Sequence, residues 1–234
     1  MVDILNAMVA LANYVFIPAI AYGSQLALGA LGVTLIYGIL RFSNFAHGDT
    51  MAFGAMVTIL FTWLFQSWGV TIGVLPTALL GIPFGISATA ALLLGTDKLV
   101  YQFYRRQKAD PVILVIVSMG VMFVMNGLVR FIIGPDEQRF TDGGRFIISA
   151  KEFKKLTGLQ EGLAFKTTQG ITIITAVIFV VFLFWFLNKT RTGKSMRAFS
   201  DNEDLALLSG INPDKVVSVT WILVAALAAT AGAL

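Results

Sequence analysis

Cysteine is absent from the 234 residues, and histidine occurs once. No disulfide, thiol nucleophile or thiolate metal site can therefore form, although the lack of cysteine does not fix the redox compartment. Charge is scarce at 13%, against about 25% for a soluble domain, and so small a polar share cannot cover a water-exposed surface. There is no His-Glu-x-x-His, no P-loop Gly-x-x-x-x-Gly-Lys, no pair of carboxylates inside an apolar run and no readable Ser-His-Asp set. An active site needs a second group beside its first, and none is found, so no catalytic residue, metal ligand or cofactor is expected. No Lys or Arg precedes Arg41, so the start lacks the basic region of a cleavable signal peptide. The net charge of +4 is spread over several loops, which argues against a nucleic-acid partner.

What is present is apolar: 57% of residues are hydrophobic and the mean hydropathy is +0.81. Long runs cover 16–40, 50–65, 70–94, 111–133, 170–187 and 216 to the last residue. A helix crosses a bilayer core of about 30 Å in roughly 20 residues; most runs reach that length, and 50–65 is short. Backbone groups in lipid must be satisfied within the segment, and the runs lack the alternation of a β-barrel. The expected fold is an all-α polytopic transmembrane helical bundle of about six spans, forming one domain over 1–234. The last run ends at Leu234 in Ala-Ala-Thr-Ala-Gly-Ala-Leu, without the interfacial or charged flank usual at a span end. The sequence therefore reads as a fragment, or as a gene product cut short, inside or at the end of its last span.

Basic residues on short loops mark the cytoplasmic side. Arg41, the 96–110 loop and the 188–216 segment carry ten of them and fall on one side. The turn at 66–69 and the long 134–169 loop fall on the other, where six basic residues meet five acidic ones. That long loop is expected to lie outside the cytoplasm, with a turn at Phe140-Thr-Asp-Gly-Gly and a short helix over 149–157 capped by Ser149. Residues 3–16, with Asn6 and Asn13, are expected to lie on the outer interface as a piece too short to cross. Gly81 and Gly85 have the spacing that lets helices approach closely, and Gly23, Ala27 and Ala30 repeat it. Pro76 and Pro83 within one run suggest a kinked or interrupted helix.

The apolar sequence is interrupted at Arg41-Phe-Ser-Asn-Phe-Ala-His-Gly-Asp49. Two readings stand side by side. Polar groups near membrane depth face a cavity or partner, and Asn44, His47 and Asp49 would then offer donors and acceptors to a small polar solute while Gly48 lets backbone approach. A broken helix lining a path is a known transporter device. Alternatively, the stretch is an interfacial loop anchored by Arg41 and tied down by His47. Further on, Asp201 or Asn202 caps a helix of about two turns with Glu203 and Asp204 at its positive end. Gly210 closes it, and Asn212-Pro213 starts the next. Its leucines suit a docking surface, or packing on the membrane.

The stretch from Leu40 to Asp49 resembles the Asn-Phe-Ala-His-Gly signature of the permease subunits of branched-chain amino acid ABC importers. Gly193-Lys-Ser-Met-Arg-Ala, Asn202-Glu-Asp, Ala206 and Gly210-Ile-Asn resemble the same family's coupling loop. The resemblance extends from about Gly23 to Leu234, and family members continue for several more spans. It implies an inner-membrane importer with a second permease subunit, two cytoplasmic ATPase subunits and an extracytoplasmic solute-binding protein. It implies no enzymatic activity for this chain, and branched-chain or other aliphatic amino acids as cargo; urea, short amides or another small polar solute is the alternative. Asn44, His47, Gly48 and Asp49 would lie along the path. Met196, Arg197, Asn202, Leu205, Leu208 and Gly210 would couple to the ATPase.

Overall fold

A computed structural model describes residues 2–70, 76–136, 138 and 146–234. Among them, six helical stretches are long and apolar enough to cross a membrane: Asp3–Leu40, His47–Ser67, Ala78–Arg106, Pro111–Ile133, Thr167–Lys189 and Pro213–Ala233. The chain is a multi-pass helical membrane protein, as its hydropathy predicts.

The first stretch runs through α1 (Val2–Leu11), a π-helical turn at Ala12–Phe16 and α2 (Ile17–Leu40) without a break. This corrects the expectation of a separate interfacial piece over 3–16. At 1.5 Å per residue the rod is about 58 Å long, roughly twice the hydrocarbon core. Its first part is held by a loop. Asn6 Oδ1 accepts from Glu161 N–H at 3.3 Å, and Asn13 Oδ1 accepts from Ala164 N–H at 3.0 Å. The two asparagines that mark 3–16 as polar are thus the hooks for 158–166.

After α3 (His47–Ser67), the next helix is α4 (Ala78–Thr96), which continues through a π-helical turn at Asp97–Tyr101 into α5 (Gln102–Arg106). Two expectations change here. The basic 96–110 stretch is mostly helix, with only 107–110 turning. Pro76 lies before the helix rather than within it, while Pro83 sits in its early turns, leaving α4 uninterrupted. The extension persists because buried Asp97 is fully engaged. Both of its oxygens meet the Arg105 guanidinium, and Oδ1 also accepts from the Trp221 indole at 2.8 Å. A buried charge is tolerated only when paired and hydrogen-bonded in this way.

Next come α6 (Pro111–Ile133), β1 (Phe146–Ile148), α7 (Ala150–Thr157), β2 (Phe165–Lys166) and α8 (Thr167–Lys189). The antiparallel β1–β2 pair is a small addition to the helical expectation. Ser149 and Glu152 form a reciprocal cap on α7, as the sequence suggests. The turn expected at 140–144 lies outside the described residues.

The last helices are α9 (Arg191–Asp201), α10 (Glu203–Leu208) and α11 (Pro213–Ala233). α11 is the centre of the bundle, packed against α2, α3 and α4. Its small residues permit close approach: Gly54 faces Ala229, and Gly232 faces the Met51 backbone. Gly81 and Gly85 both abut Thr58, as their spacing predicts. The stripe of Gly23, Ala27 and Ala30 does not pack; it is exposed, and α2 instead uses Leu28, Gly29 and Gly32. Periodicity finds a small-residue stripe but cannot tell which stripe a neighbour covers.

Candidate substrate path and coupling surface

Arg41 ends α2 in the left-handed region, at φ 59°. Its guanidinium donates to the Ser200 carbonyl, and Ser200 Oγ donates to the Gly38 carbonyl at 2.7 Å. The end of α2 is thereby fixed to the end of α9. From there the chain does not remain at the surface. Residues 42–46 run back along the bundle, and His47 Nε2 reaches the Gly29 carbonyl at 3.0 Å. Gly29 lies eleven residues before the end of α2, so α3 begins about 16 Å inside the bundle's basic end. Asn126 bonds Asp49 and lies fifteen residues into α6, a depth of about 22 Å that agrees.

The descending segment is held group by group. Asn44 Oδ1 accepts from Ala46 N–H at 3.1 Å and from the Tyr101 hydroxyl at 3.2 Å. The Ser118 hydroxyl accepts from Phe45 N–H at 3.1 Å. Phe42 packs on Tyr101, which stacks on Trp221 with ring centroids 5.5 Å apart. Non-helical backbone at membrane depth is tolerable only when neighbours satisfy it in this manner. Because a carbonyl only accepts, the His47 proton sits on Nε2; buried Nδ1 has no partner. A Cβ on Gly32 would lie 2.5 Å from His47 Cε1, so the missing side chain of Gly32 is the seat for the imidazole.

The path candidates therefore do not converge on one cavity. Asn44 turns toward Tyr101, His47 toward α2, and both are buried. Gly48 is exposed and Asp49 half-buried. Asp49 Oδ1 accepts from Asn126 Nδ2 at 2.9 Å, and Asn126 is exposed. Sequence reasoning missed Asn126, although an amide within an apolar run was visible. No group of three or more metal-ligating side chains occurs among the described residues.

At the basic end, Asn202 Oδ1 caps α10 by accepting from Leu205 N–H at 3.0 Å. Gly210 follows at φ 80°. Leu205 is 61% and Leu208 85% exposed, whereas Met196 is completely buried in a cluster with Ile39, Phe199, Ala206 and Val216. Arg197 is exposed and donates to Asn188 Oδ1 at 2.8 Å. So α10 shows leucines outward while α9 holds it to the bundle. The lead-in to α10 is itself a helix, α9, which the sequence reading left unassigned. Beside α10 lies a cleft of about 510 Å3 whose lining includes Arg41, Arg105, Arg106 and Lys108 together with Glu203, Asp204 and Asp214.

The family model for the branched-chain amino acid transport system permease component matches residues 16–234. This chain belongs to that family. Within this permease family, it is 28% identical to the high-affinity branched-chain amino acid transport system permease protein LivH of Escherichia coli K12, over 92% of this chain and 67% of the relative. It is 27% identical to a probable branched-chain amino acid transport permease protein LivH of Methanocaldococcus jannaschii, over 92% of this chain and 64% of that one. A fructose import permease protein, FruG of Bifidobacterium longum, is 26% identical over 96% of this chain and 54% of its own length. The chain thus spans about two thirds of the length of the branched-chain permeases it matches. No solved structure gives a significant match.

Proposed function

We propose that the chain is the membrane-spanning permease of an ATP-driven importer for branched-chain or other aliphatic amino acids, in the inner membrane. The observation that carries this reading beyond family membership is α10. A six-residue helix is capped at Asn202, fixed to the bundle by buried Ala206, and shows Leu205 and Leu208 to the outside. Exposed leucines on a rigid, capped element suit a protein partner. The end that carries them also carries the basic residues, which is the cytoplasmic end by the charge rule. The partner there is the ATPase, with two copies serving two permeases. The opposite end, with 150–166 held to Asn6 and Asn13, faces the extracytoplasmic binding protein.

In this mechanism, ATP-driven closure of the ATPases displaces α10. Through the Arg41–Ser200 and Ser200–Gly38 bonds, α9 passes that displacement to α2. His47 rests on α2, so the start of α3 moves with it. The cargo path runs past Gly48 and Asp49, where α3 opens to the surface; Asn44 and His47 hold the shape of the descending turn. The direction of transport follows from which state binds cargo and nucleotide better.

The test is a reconstituted importer containing the full chain with Leu205→Asp and Leu208→Asp together. Both side chains are exposed, so folding should be retained while ATPase co-purification and leucine uptake are lost. Normal association and uptake would remove α10 from the coupling role. Competition of uptake by leucine but not by urea is expected for the amino-acid reading.

A further inference from the structure

Asp49 and Asn126 form a polar pair on an exposed face about 22 Å from the start of α6, flanked by apolar residues of that helix. A carboxylate at membrane depth is costly unless water or a cation compensates it. Among the described residues the only ion pair is Arg105–Asp97, so no Lys or Arg among them pairs with Asp49. The pair has a defined polarity. A carboxylate accepts and does not donate, so Asn126 must turn its amine toward Asp49, as observed. That orientation leaves the second Asp49 oxygen and Asn126 Oδ1 as acceptors. Two acceptors, one of them charged, select a cationic donor.

One turn farther along α6, four residues from Asn126 and on the same face, stands Arg130. It is exposed and likewise meets no carboxylate among the described residues. A negative acceptor pair with an exposed guanidinium beyond it has the charge order of an amino-acid zwitterion. We propose that Asp49 and Asn126 bind the α-ammonium of the transported amino acid and that Arg130 binds its carboxylate. This rests on the importer reading and narrows its cargo: the site takes a solute with a primary ammonium beside a carboxylate. Sugars, urea and amides lack that pair of charges.

The 234 residues hold no cysteine, so a substituted one is the sole thiol they contribute. Phe123 is 72% exposed and lies three residues before Asn126; Val124 is 71% exposed at nearly the same depth but about 160° around the helix from Asn126. Membrane vesicles carrying the full chain with its partner subunits are treated with a cationic or an anionic methanethiosulfonate. The cationic reagent should modify Phe123→Cys about tenfold faster than Val124→Cys, and about fivefold faster than the anionic reagent does. Asp49→Asn should abolish that preference and Asp49→Glu should keep it, which separates charge from folding. Leucine should slow the modification about threefold by occupying the site, whereas 4-methylpentanoate, which lacks the ammonium, and fructose should not. Equally slow modification of both cysteines, a charge preference that survives Asp49→Asn, or equal protection by leucine and 4-methylpentanoate overturns the proposal. A basic side chain from a second subunit seated on Asp49 would give the last of these results. Leucine uptake in the same vesicles separates the two readings. Uptake with charge-blind labelling refutes this site alone. Charge-selective, leucine-protected labelling without uptake by the unsubstituted chain upholds the site and refutes the transport reading.

Discussion

Gly32→Ala tests where α3 begins. The added carbon would stand 2.5 Å from Cε1 and 2.9 Å from Nε2 of His47, distances no packed pair sustains. Overpacking of this kind costs about 1–3 kcal/mol, and displacing the His47–Gly29 hydrogen bond costs about 1 kcal/mol more. Alanine recovers roughly 1 kcal/mol of helix propensity over glycine, leaving a net loss of about 1–3 kcal/mol. For a chain of this size each kcal/mol is worth about 2–4 °C, so a central loss of about 2 kcal/mol lowers the apparent Tm by about 4–8 °C. In a His47→Ala background the obstruction is gone and only propensity remains. There the same substitution should stabilise by up to about 1 kcal/mol. The sign reversal is the diagnostic, because a double-mutant cycle isolates the contact. Heating the detergent-solubilised variants while following the fluorescence of the four tryptophans supplies the four midpoints. If Gly32→Ala is tolerated, or costs the same in both backgrounds, His47 does not rest on α2 and the descent of 42–46 is wrong.

Asp97→Ala should lower stability by about 3–5 kcal/mol, because it strands a partly buried guanidinium and the Trp221 indole; Arg105→Lys, which keeps the charge but loses the bidentate fit, should cost less by the same thermal assay. Gly232→Ala should be worse than Gly29→Ala: its Cβ would meet the Met51 carbonyl at 2.2 Å, whereas at Gly29 the obstacle is the movable end of the Met51 side chain at 3.2 Å. Equal midpoints for these two would contradict the close approach of α11 and α3. Asn202→Ala should raise hydrogen exchange across 203–208 while leaving α11 unchanged, since only the cap of α10 is lost.

Spans were legible because hydropathy measures what a bilayer demands, and four of the six spanning stretches overlap the apolar runs closely. The boundary shift at α4 shows the limit. Lys98, Arg105 and Arg106 look like loop residues until Asp97 is seen to take Arg105 and Trp221, partners 8 and 124 residues away. The caps at Ser149, Asn202 and Asn212 were legible since a cap is local chemistry. α9 was not, although Gly193, Met196 and Phe199 recur at its buried face, because a short polar helix leaves too weak a periodic signal. At the path, the sequence offered four neighbours and no directions. Asn44, His47 and Asp49 are close in sequence yet turn to three different helices. Asn126 was invisible as a partner because nothing local joins it to Asp49.

The unbroken run from Val2 to Leu40 has a mechanical meaning. One end is clasped by the 158–166 loop and the other by α9. A rod about 58 Å long that pivots at its middle through about 10° carries each tip about 5 Å, in opposite directions. Such a beam needs no relay of small side-chain adjustments between the two ends. Stiffness alone makes an event at one tip a displacement at the other, and the π-helical turn at 12–16 is the place where that stiffness is least regular.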